Sequence, residues 1–296
     1  MKIQAALTCN LLFLSLLAPT ISMQALEEFS KEYRKSHQVN PDCLIQLDLS
    51  FAEVVVTTWD SPQVDIFVKI VTDAKSQERA DQIFDKIEVE FGATASKVEF
   101  NVNAGSMNCN KNENFTIKVE MKVPAKSTLA GHAGFGEVTI SDMIGPCKLR
   151  VEYGSLNANS LASTSNNLIV QFGEAKITSA GGGQFSSEYG SVKLGTLKSD
   201  ATFKASFGDV KVDQVLAECK NLNVEAEYGD VSMTLASGCA YQVDADCDYG
   251  DIEMPSSFHK TTQESDFSGK HVTGTIGTGA TGNLRIQCDF GDVSIK

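Results

Sequence analysis

The chain of 296 residues carries 38 acidic and 25 basic side chains, which gives a formal net charge of −13 at pH 7. Nucleic acids and anionic membranes are bound through basic stripes, so this charge balance disfavours both as partners. The excess of acidic residues by itself indicates a surface that keeps the protein soluble.

The first 25 residues predict a cleaved secretory signal. Lys2 supplies the positive start, a short apolar run covers 11–18, and small residues then offer cleavage after Ser22 or Ala25. The run is too short to span a membrane, and none of the later segments approaches 18 apolar residues. We therefore expect an exported bacterial protein without a membrane span in the mature chain. It would lie in the periplasm, at the outer membrane or outside the cell.

Residues 26–128 predict a small N-terminal α+β cap that includes the first copy of a repeat. Alternating apolar and polar residues indicate strands over 64–71, 97–102 and 115–123. The residues that share one face of a predicted amphipathic helix are Ala80, Ile83, Phe84 and Ile87. Such a cap would cover the open end of stacked strands, which otherwise invites edge-to-edge pairing.

The repeat has an aromatic residue at position 0, usually Gly at +1, and usually Asp, Glu or Ser at +2. Small or apolar residues recur at −4, −2, +3 and +5. From Phe135 to Tyr249 the copies arrive every 17 to 21 residues, a period typical of stacked coils. The nine aromatic residues are Phe51, Phe135, Tyr153, Phe172, Tyr189, Phe207, Tyr228, Tyr249 and Phe290.

The apolar positions of the repeat predict strands with one buried face. Even offsets point inward before the aromatic and odd offsets after it, so one extra residue must be absorbed at +1 and +2. Glycine at +1 tolerates positive φ, and Asp at +2 suits a turn. The predicted fold is therefore mainly β. We expect a single-chain parallel β-solenoid over 129–296, with coils of 17–21 residues stacked about 4.8 Å apart on the N-terminal cap.

Tyr249 and Phe290 are 41 positions apart, and this gap interrupts the period and predicts a degenerate coil or a hairpin. Within this gap, Gly277, Gly279 and Gly282 spell GxGxxG. A dinucleotide site needs that motif to open a helix, whereas a strand-like run follows here. We interpret the segment as a hairpin loop.

The aromatic column is in phase with the inward positions −4 and −2. We therefore expect its rings to form a ladder inside the core, stabilised by burial and offset stacking, and not a sugar-binding surface. Trp59 is the expected exposed aromatic residue, with packing at a strand end as the alternative.

The +2 column ends in four aspartates, Asp209, Asp230, Asp251 and Asp292. Coils in register would place the first three in successive layers, with like charges about 5 Å apart. A cation such as Ca²⁺ would stabilise such a column. The alternative is that each Asp hydrogen-bonds the backbone of its own corner, which Ser155 and Ser191 in the same position favour. We expect no other cofactor or metal.

Seven cysteines remain after the signal, so at least one thiol is unpaired. Cys247 and Cys288 occupy the −2 column and are expected to be small buried hydrophobic residues, whereas Cys219 and Cys239 are candidates for a disulfide bridge. The four histidines are scattered, and neither a metal-binding spacing nor a GxSxG elbow occurs. No catalytic residue is predicted.

The run SFAEVVVTTWDSPQVDIFVKI, the helix-like ERADQIFDKI and the repeated aromatic-glycine-acid units resemble exported bacterial β-strand-repeat proteins known as putative adhesins. These are related to the head domain of putative auto-transporter adhesins. The resemblance covers 29–296, implies a parallel β-solenoid in or outside the envelope, and supplies no catalytic residues. Ala52 departs from it, because the repeat has Gly at that position.

These features predict a non-enzymatic exported protein that acts as an adhesin or an interaction scaffold. Its partner would be a protein or glycan on the cell surface or in the envelope. A periplasmic sensor or envelope-homeostasis component is the first alternative, and a carbohydrate-active β-helix enzyme is the second.

Overall fold

The computed structural model describes residues 26–105, 114–265 and 269–296. The predicted secretory signal and Cys109 lie outside these ranges. Within them the chain forms one sheet of 12 strands, another of 13 strands, and one helix. A single cluster of buried apolar residues, contributed by both sheets, runs through the molecule.

The elements fall into three groups along the chain. The N-terminal elements are β1 (Glu27–Gln38), β2 (Leu44–Ser50), β3 (Ala52–Trp59), β4 (Gln63–Ala74), α1 (Gln77–Phe84), β5 (Ile87–Ala93), β6 (Lys97–Ala104) and β7 (Phe115–Pro124). The coil strands are β8 (Thr128–Gly134), β9 (Glu137–Met143), β10 (Cys147–Glu152), β11 (Ser155–Leu161), β12 (Asn166–Gln171), β13 (Glu174–Ala180), β14 (Gly183–Glu188), β15 (Ser191–Leu197), β16 (Ala201–Phe207), β17 (Val210–Val215), β18 (Asn221–Tyr228) and β19 (Val231–Leu235). The C-terminal strands are β20 (Tyr241–Tyr249), β21 (Ile252–Glu253), β22 (Phe258–Ser265), β23 (Lys270–Ile276), β24 (Gly282–Phe290) and β25 (Val293–Ile295).

The predicted parallel β-solenoid is confirmed. Each repeat contributes one strand to the 13-stranded sheet, turns at the aromatic-glycine corner, and contributes the next strand to the 12-stranded sheet. β10 pairs in parallel with β8 and β12, and β11 pairs in parallel with β9 and β13. Equivalent positions lie side by side, as Val151 and Val170 do.

The four apolar columns of the repeat face the core, as predicted. Leu149, Val151 and Leu156 are at most 3% exposed in one coil. All other members of the columns are buried except Gly131, which is half-buried, and the half-buried pair Ile252 and Met254 near the C-terminal end. The predicted change at the corner, from inward-facing even offsets to inward-facing odd offsets, is therefore confirmed.

The N-terminal cap closes the stack with antiparallel strands. β4 pairs with β7 and β1, and β5 pairs with β6. Helix α1 begins after Ser76, whose hydroxyl accepts the backbone N–H of Arg79 at 3.3 Å. Three residues of the predicted helix face are buried, but Ile87 is buried as the first residue of β5 and not on the helix. β1 was not predicted, because its charged sequence pairs at a sheet edge and buries no side chain fully.

The C-terminal strands do not stack in chain order. The predicted hairpin forms from β22 and β23, and β23 pairs antiparallel with β20. The chain then returns as β24, which lies between β18 and β20. The GTGATG segment is therefore a crossover between strands on opposite sides of β20, so its interpretation as a hairpin loop is wrong. Gly282 opens strand β24, and no helix follows the motif.

Candidate functional site

The nine repeat aromatics form an exposed aromatic ladder along the corner edge of the solenoid. Successive ring centroids are 4.7 to 4.9 Å apart and neighbouring planes lie within 7° of parallel, so the ladder is about 38 Å long. The side chains are 40 to 56% exposed. In spatial order the rings are Phe51, Phe135, Tyr153, Phe172, Tyr189, Phe207, Tyr228, Phe290 and Tyr249.

The prediction that these rings lie in the core is wrong, because position 0 lies at the corner between two strands. In the first five coils the aromatic residue itself is left-handed, with φ of 54 to 57°, so the chain already turns at position 0. In the coils of Phe207, Tyr228 and Phe290 the following glycine takes the positive φ instead, and the rings are exposed there as well. The stacking of the rings was predicted correctly, whereas their predicted location in the core was wrong.

Glycine is required at +1 mainly because neighbouring coils approach closely there, and less because of its backbone φ. A Cβ on Gly173 would lie 1.7 Å from the carbonyl oxygen of Gly154, although Gly173 has no positive φ. The same clash, at 1.7 to 2.3 Å, recurs at the corner glycine of each later coil. Ala52 is accommodated because its corner begins the stack and pairs with Ile117 of β7 instead of another corner.

The ladder presents mainly ring edges to solvent, because the faces of the seven inner rings are covered by their neighbours. Phe51 is also contacted edge-on by Phe115, at a centroid distance of 6.1 Å. At the other end stands Tyr249, and no further described ring stacks on it. Sugars pack their C–H groups on aromatic faces, so the ladder is poorly suited to that mode of glycan binding.

Two rows of side chains flank the ladder, and we call their carboxylates the acidic flanks. The row at −1 contains Glu152, Glu188, Glu227, Asp248 and Asp289. The row at +2 contains Glu53, Glu137, Glu174, Asp209, Asp230, Asp251 and Asp292. The ladder is thus an apolar ridge between two negatively charged borders.

Ion pairing within the chain neutralises the acidic flanks unevenly. The Arg150 guanidinium donates to Glu152 at 2.6 Å and lowers the pKa of that carboxyl group. Lys176 and Lys193 both pair with Glu174 and lower its pKa through hydrogen bonds.

Around the last four rings of the ladder, ion pairs neutralise fewer of the flanking carboxylates. Of the seven carboxylates that flank them, only Asp251 forms an ion pair with a basic side chain of the described chain, namely Lys270. The negative charge is therefore least compensated at the C-terminal end.

The four predicted aspartates form a hydrogen-bonded column in an order that differs from the chain. Asp230 donates its backbone N–H to Oδ1 of Asp209 at 3.0 Å. The N–H of Asp292 donates to Asp230 at 2.8 Å, and that of Asp251 donates to Asp292 at 2.9 Å. Asp292 therefore separates Asp230 from Asp251, so the prediction that the first three are in successive layers is wrong.

The alternative arrangement, in which each Asp hydrogen-bonds the backbone of its own corner, is wrong. For Asp209, Asp230 and Asp292, the carboxylate caps the next coil's backbone and not its own corner. In the described part of the chain, no group of three or more His, Cys, Asp or Glu side chains is arranged to hold a metal ion. Calcium binding at this column stays a prediction, and an unchanged melting temperature on chelation would contradict it.

The six described cysteines are buried free thiols, so the suggested bridge between Cys219 and Cys239 is wrong. Tyr241 packs between their loops and donates its hydroxyl to the carbonyl oxygen of Cys219 at 2.7 Å. The Cys239 thiol instead donates to Val215, at 3.4 Å. Cys247 and Cys288 are buried side by side on β20 and β24, as expected for small hydrophobic residues.

Trp59 packs at a strand end, which was the alternative to exposure. Its indole N–H donates to the carbonyl oxygen of Gln63 at 2.7 Å, and the Lys122 ammonium lies 5.8 Å from its ring centroid. Among the histidines, His271 donates its Nε2–H to the Asp244 carboxylate at 2.8 Å, and this hydrogen bond raises the pKa of His271.

Two cavities of the described surface lie on the outer faces of the sheets. One, of about 700 Å³, is bordered by the outward lysines Lys176, Lys193 and Lys211. Another, of about 580 Å³, is bordered mainly by amide and hydroxyl side chains such as Asn167 and Thr202.

The comparison with protein families decides what kind of protein this is. The family model described as Toastrack DUF4097 matches residues 45–296. The chain belongs to the Toastrack DUF4097 family. The expected relationship to β-strand-repeat proteins known as putative adhesins is confirmed with it. No curated protein matches the chain.

Solved structures similar to this Toastrack protein cover nearly its whole length at low sequence identity. A putative adhesin from Bacteroides fragilis is 11% identical, with 90% of this chain and 97% of that chain covered and a TM-score of 0.46. A putative lipid binding protein from Parabacteroides distasonis is 12% identical, with 89% and 94% covered and a TM-score of 0.40. A putative cell adhesion protein from Clostridium sporogenes is 11% identical, with 90% and 99% covered and a TM-score of 0.27.

In the part of the chain that the structure describes, α1 falls well short of the length and apolarity that a membrane-crossing helix needs.

Proposed function

We propose that this Toastrack protein is a non-enzymatic, exported binding protein of the bacterial envelope or cell surface. It would act as an adhesin or interaction scaffold that engages its partner along the aromatic ladder. The observation that carries the proposal is the exposure of nine stacked rings on one edge. Single exposed apolar residues are common on soluble proteins, whereas continuous apolar patches mark interaction sites.

The size of the ladder supports an interface with a macromolecule. A buried aromatic side chain covers about 150–250 Å², so nine half-exposed rings present on the order of 900 Å². The largest apolar patch on a typical monomer is about 300–600 Å². A standard protein interface buries about 800 Å² on each partner. The ladder alone thus approaches the area that a stable complex needs.

The rings are also prearranged for binding. Each of the seven inner rings is held between two neighbours at 4.7 to 4.9 Å, on a corner fixed by in-register parallel strands. Little side-chain entropy would be lost when a partner covers them, and such preorganisation favours affinity.

The test is capture of partners from the native envelope by immobilised protein. The Tyr153→Asn and Tyr189→Asn double variant removes two rings, and Asn tolerates the left-handed backbone at both positions. Ile144→Asn is the control, because Ile144 is equally exposed but lies off the ladder. We expect the double variant to lose most of the captured material and the control to retain it. Equal capture by all three proteins would contradict the proposal.

Two further measurements separate this function from the alternatives. Cell fractionation distinguishes a surface protein from a periplasmic sensor, which cannot contact another cell directly. A glycan array combined with a turnover assay tests for the carbohydrate-active enzyme, and release of product there would contradict a non-enzymatic role.

A further inference from the structure

The C-terminal end of the aromatic ladder combines an apolar ridge with unpaired negative charge on both sides. Its last four rings, the C-terminal ladder segment, are Phe207, Tyr228, Phe290 and Tyr249. Their separations of 4.7 and 4.8 Å make the segment about 14 Å long. Six carboxylates flank it without an ion pair to any described basic side chain: Asp209, Glu227, Asp230, Asp248, Asp289 and Asp292.

The charge pattern indicates what kind of surface would be complementary. Ring edges pack well against aliphatic side chains, and carboxylates at the border favour Lys and Arg on the partner. The required partner surface is therefore a narrow apolar stripe with cations on both sides.

Resting on the proposed function, we propose that the C-terminal ladder segment docks a basic amphipathic helix of a partner protein. An α-helix with apolar residues at i, i+3, i+4 and i+7 presents one straight stripe and can place cations along both borders. An extended strand laid along the ridge alternates its side chains towards and away from it, and so would not reach both flanks. A segment of 14 Å corresponds to about nine helical residues.

The same flanks argue against two other occupants. A second copy of the chain would bring its own acidic flanks against these, and opposed like charges are unfavourable at a rim. An anionic lipid surface would be repelled for the same reason. A cationic partner instead gains from every flanking carboxylate that forms no ion pair within the described chain.

The probe is a fluorescent Leu/Lys peptide of about 18 residues with a helical leucine stripe, measured by anisotropy against the full mature protein. The flank variant is Glu227→Gln, Asp248→Asn and Asp289→Asn, none of which donates or accepts a side-chain hydrogen bond within the described chain. Exposed ion pairs each change an affinity by about two- to threefold, so we expect this variant to bind about tenfold more weakly.

The matched control removes the same net charge elsewhere. Glu78→Gln, Glu88→Gln and Glu90→Gln lie in the N-terminal cap, on exposed positions. We expect its affinity to stay within about twofold of the wild type, because the flanks are unchanged and distant charges are screened. A peptide of the same composition with the stripe scrambled is expected to bind at least about tenfold more weakly, because it presents no continuous apolar stripe.

The ring contribution is tested by Tyr249→Ser, which removes the last ring and leaves the other stacking pairs intact. We expect weaker peptide binding with an unchanged unfolding midpoint for the cap. If the flank and control variants weakened peptide binding equally, or if the scrambled peptide bound as tightly as the striped one, the inference would be overturned. Binding would then depend only on net charge. Absence of peptide binding would overturn the inference too.

Sedimentation velocity gives the remaining outcome. A dimer that Tyr249→Ser disrupts would mean that the ridge binds a second copy and not a cationic helix. If envelope capture depends on Tyr153 and Tyr189 while the peptide fails to bind, the proposed function stands and this inference alone fails.

Discussion

Gly173→Ala tests how the solenoid packs its coils at the corner. The new Cβ would lie 1.7 Å from the carbonyl oxygen of Gly154 and 2.8 Å from its carbon, and both atoms are backbone. Ordinary contacts of this kind begin near 3.4 Å. No rotamer change can relieve the clash, since Ala has none. The two coils must therefore separate locally by about 1.5 Å.

That separation breaks backbone hydrogen bonds between the coils. Between these two coils, the N–H of Tyr153 donates to the carbonyl oxygen of Gln171 at 2.9 Å. The parallel pairing of β11 with β13 begins three residues later, at Leu156. Leaving about two buried backbone groups unpaired costs about 1–3 kcal/mol each. We expect Gly173→Ala to lower the free energy of unfolding by about 3–5 kcal/mol, a large part of the 5–15 kcal/mol typical of a domain.

Urea denaturation followed by circular dichroism measures this loss, with Trp59 fluorescence as a separate report on the cap. Gly92→Ala is the control, because its Cβ would meet nothing nearer than the Glu99 side chain at 3.6 Å. We expect that variant to change stability by less than about 1 kcal/mol. If the two variants lost the same stability, the close approach of corners would not be what requires glycine.

Three further predictions follow from other contacts. Asp230→Asn should leave stability unchanged or raise it, because the amide oxygen still accepts the next coil's N–H at 2.8 Å, whereas Asp230→Ala should cost about 1 kcal/mol in urea denaturation. Asp244 raises the pKa of His271, so the stability that this contact contributes is complete below the unfolded pKa of about 6.5 and is lost as pH rises through the higher folded pKa. The stability difference between wild type and His271→Gln should therefore be larger near about pH 5.5 than near about pH 8.5, and a pH-independent difference would refute the contact. Burial raises the pKa of Cys147 and Cys288 to about 12, so peptide mapping after iodoacetamide treatment should find both unmodified in the native protein and modified in urea.

The repeat frame was readable from the sequence because it is local. Alternation over four to six residues decides which side chains of a strand share a face, so the buried columns and the change of phase at the corner followed from spacing alone. The helix was equally local, since Ser76 and an apolar face define its start and orientation. Ile87 was misplaced because one apolar spacing fits both the end of a helix and the start of a strand.

The exposed aromatic ladder could not be derived from the same spacing. Position 0 is in phase with the buried columns, but it lies at the corner between two strands, where its ring faces solvent. The close approach of neighbouring corners is a contact between residues about 20 positions apart, which the spacing of apolar residues does not reveal. The sequence therefore identified the nine aromatic positions but did not predict that they form an exposed surface.

The order of the last coils was also decided by tertiary pairing, although the sequence held a signal for it. In spatial order from Phe135 to Tyr249 the rings alternate strictly between Phe and Tyr, because Phe290 stands between Tyr228 and Tyr249. In chain order that alternation fails at the two consecutive tyrosines. The sequence alone determined the coil, its buried face and its period, since these depend on neighbours along the chain. The tertiary structure decided which face of the aromatic column meets solvent and where β24 inserts, since both depend on contacts between distant coils.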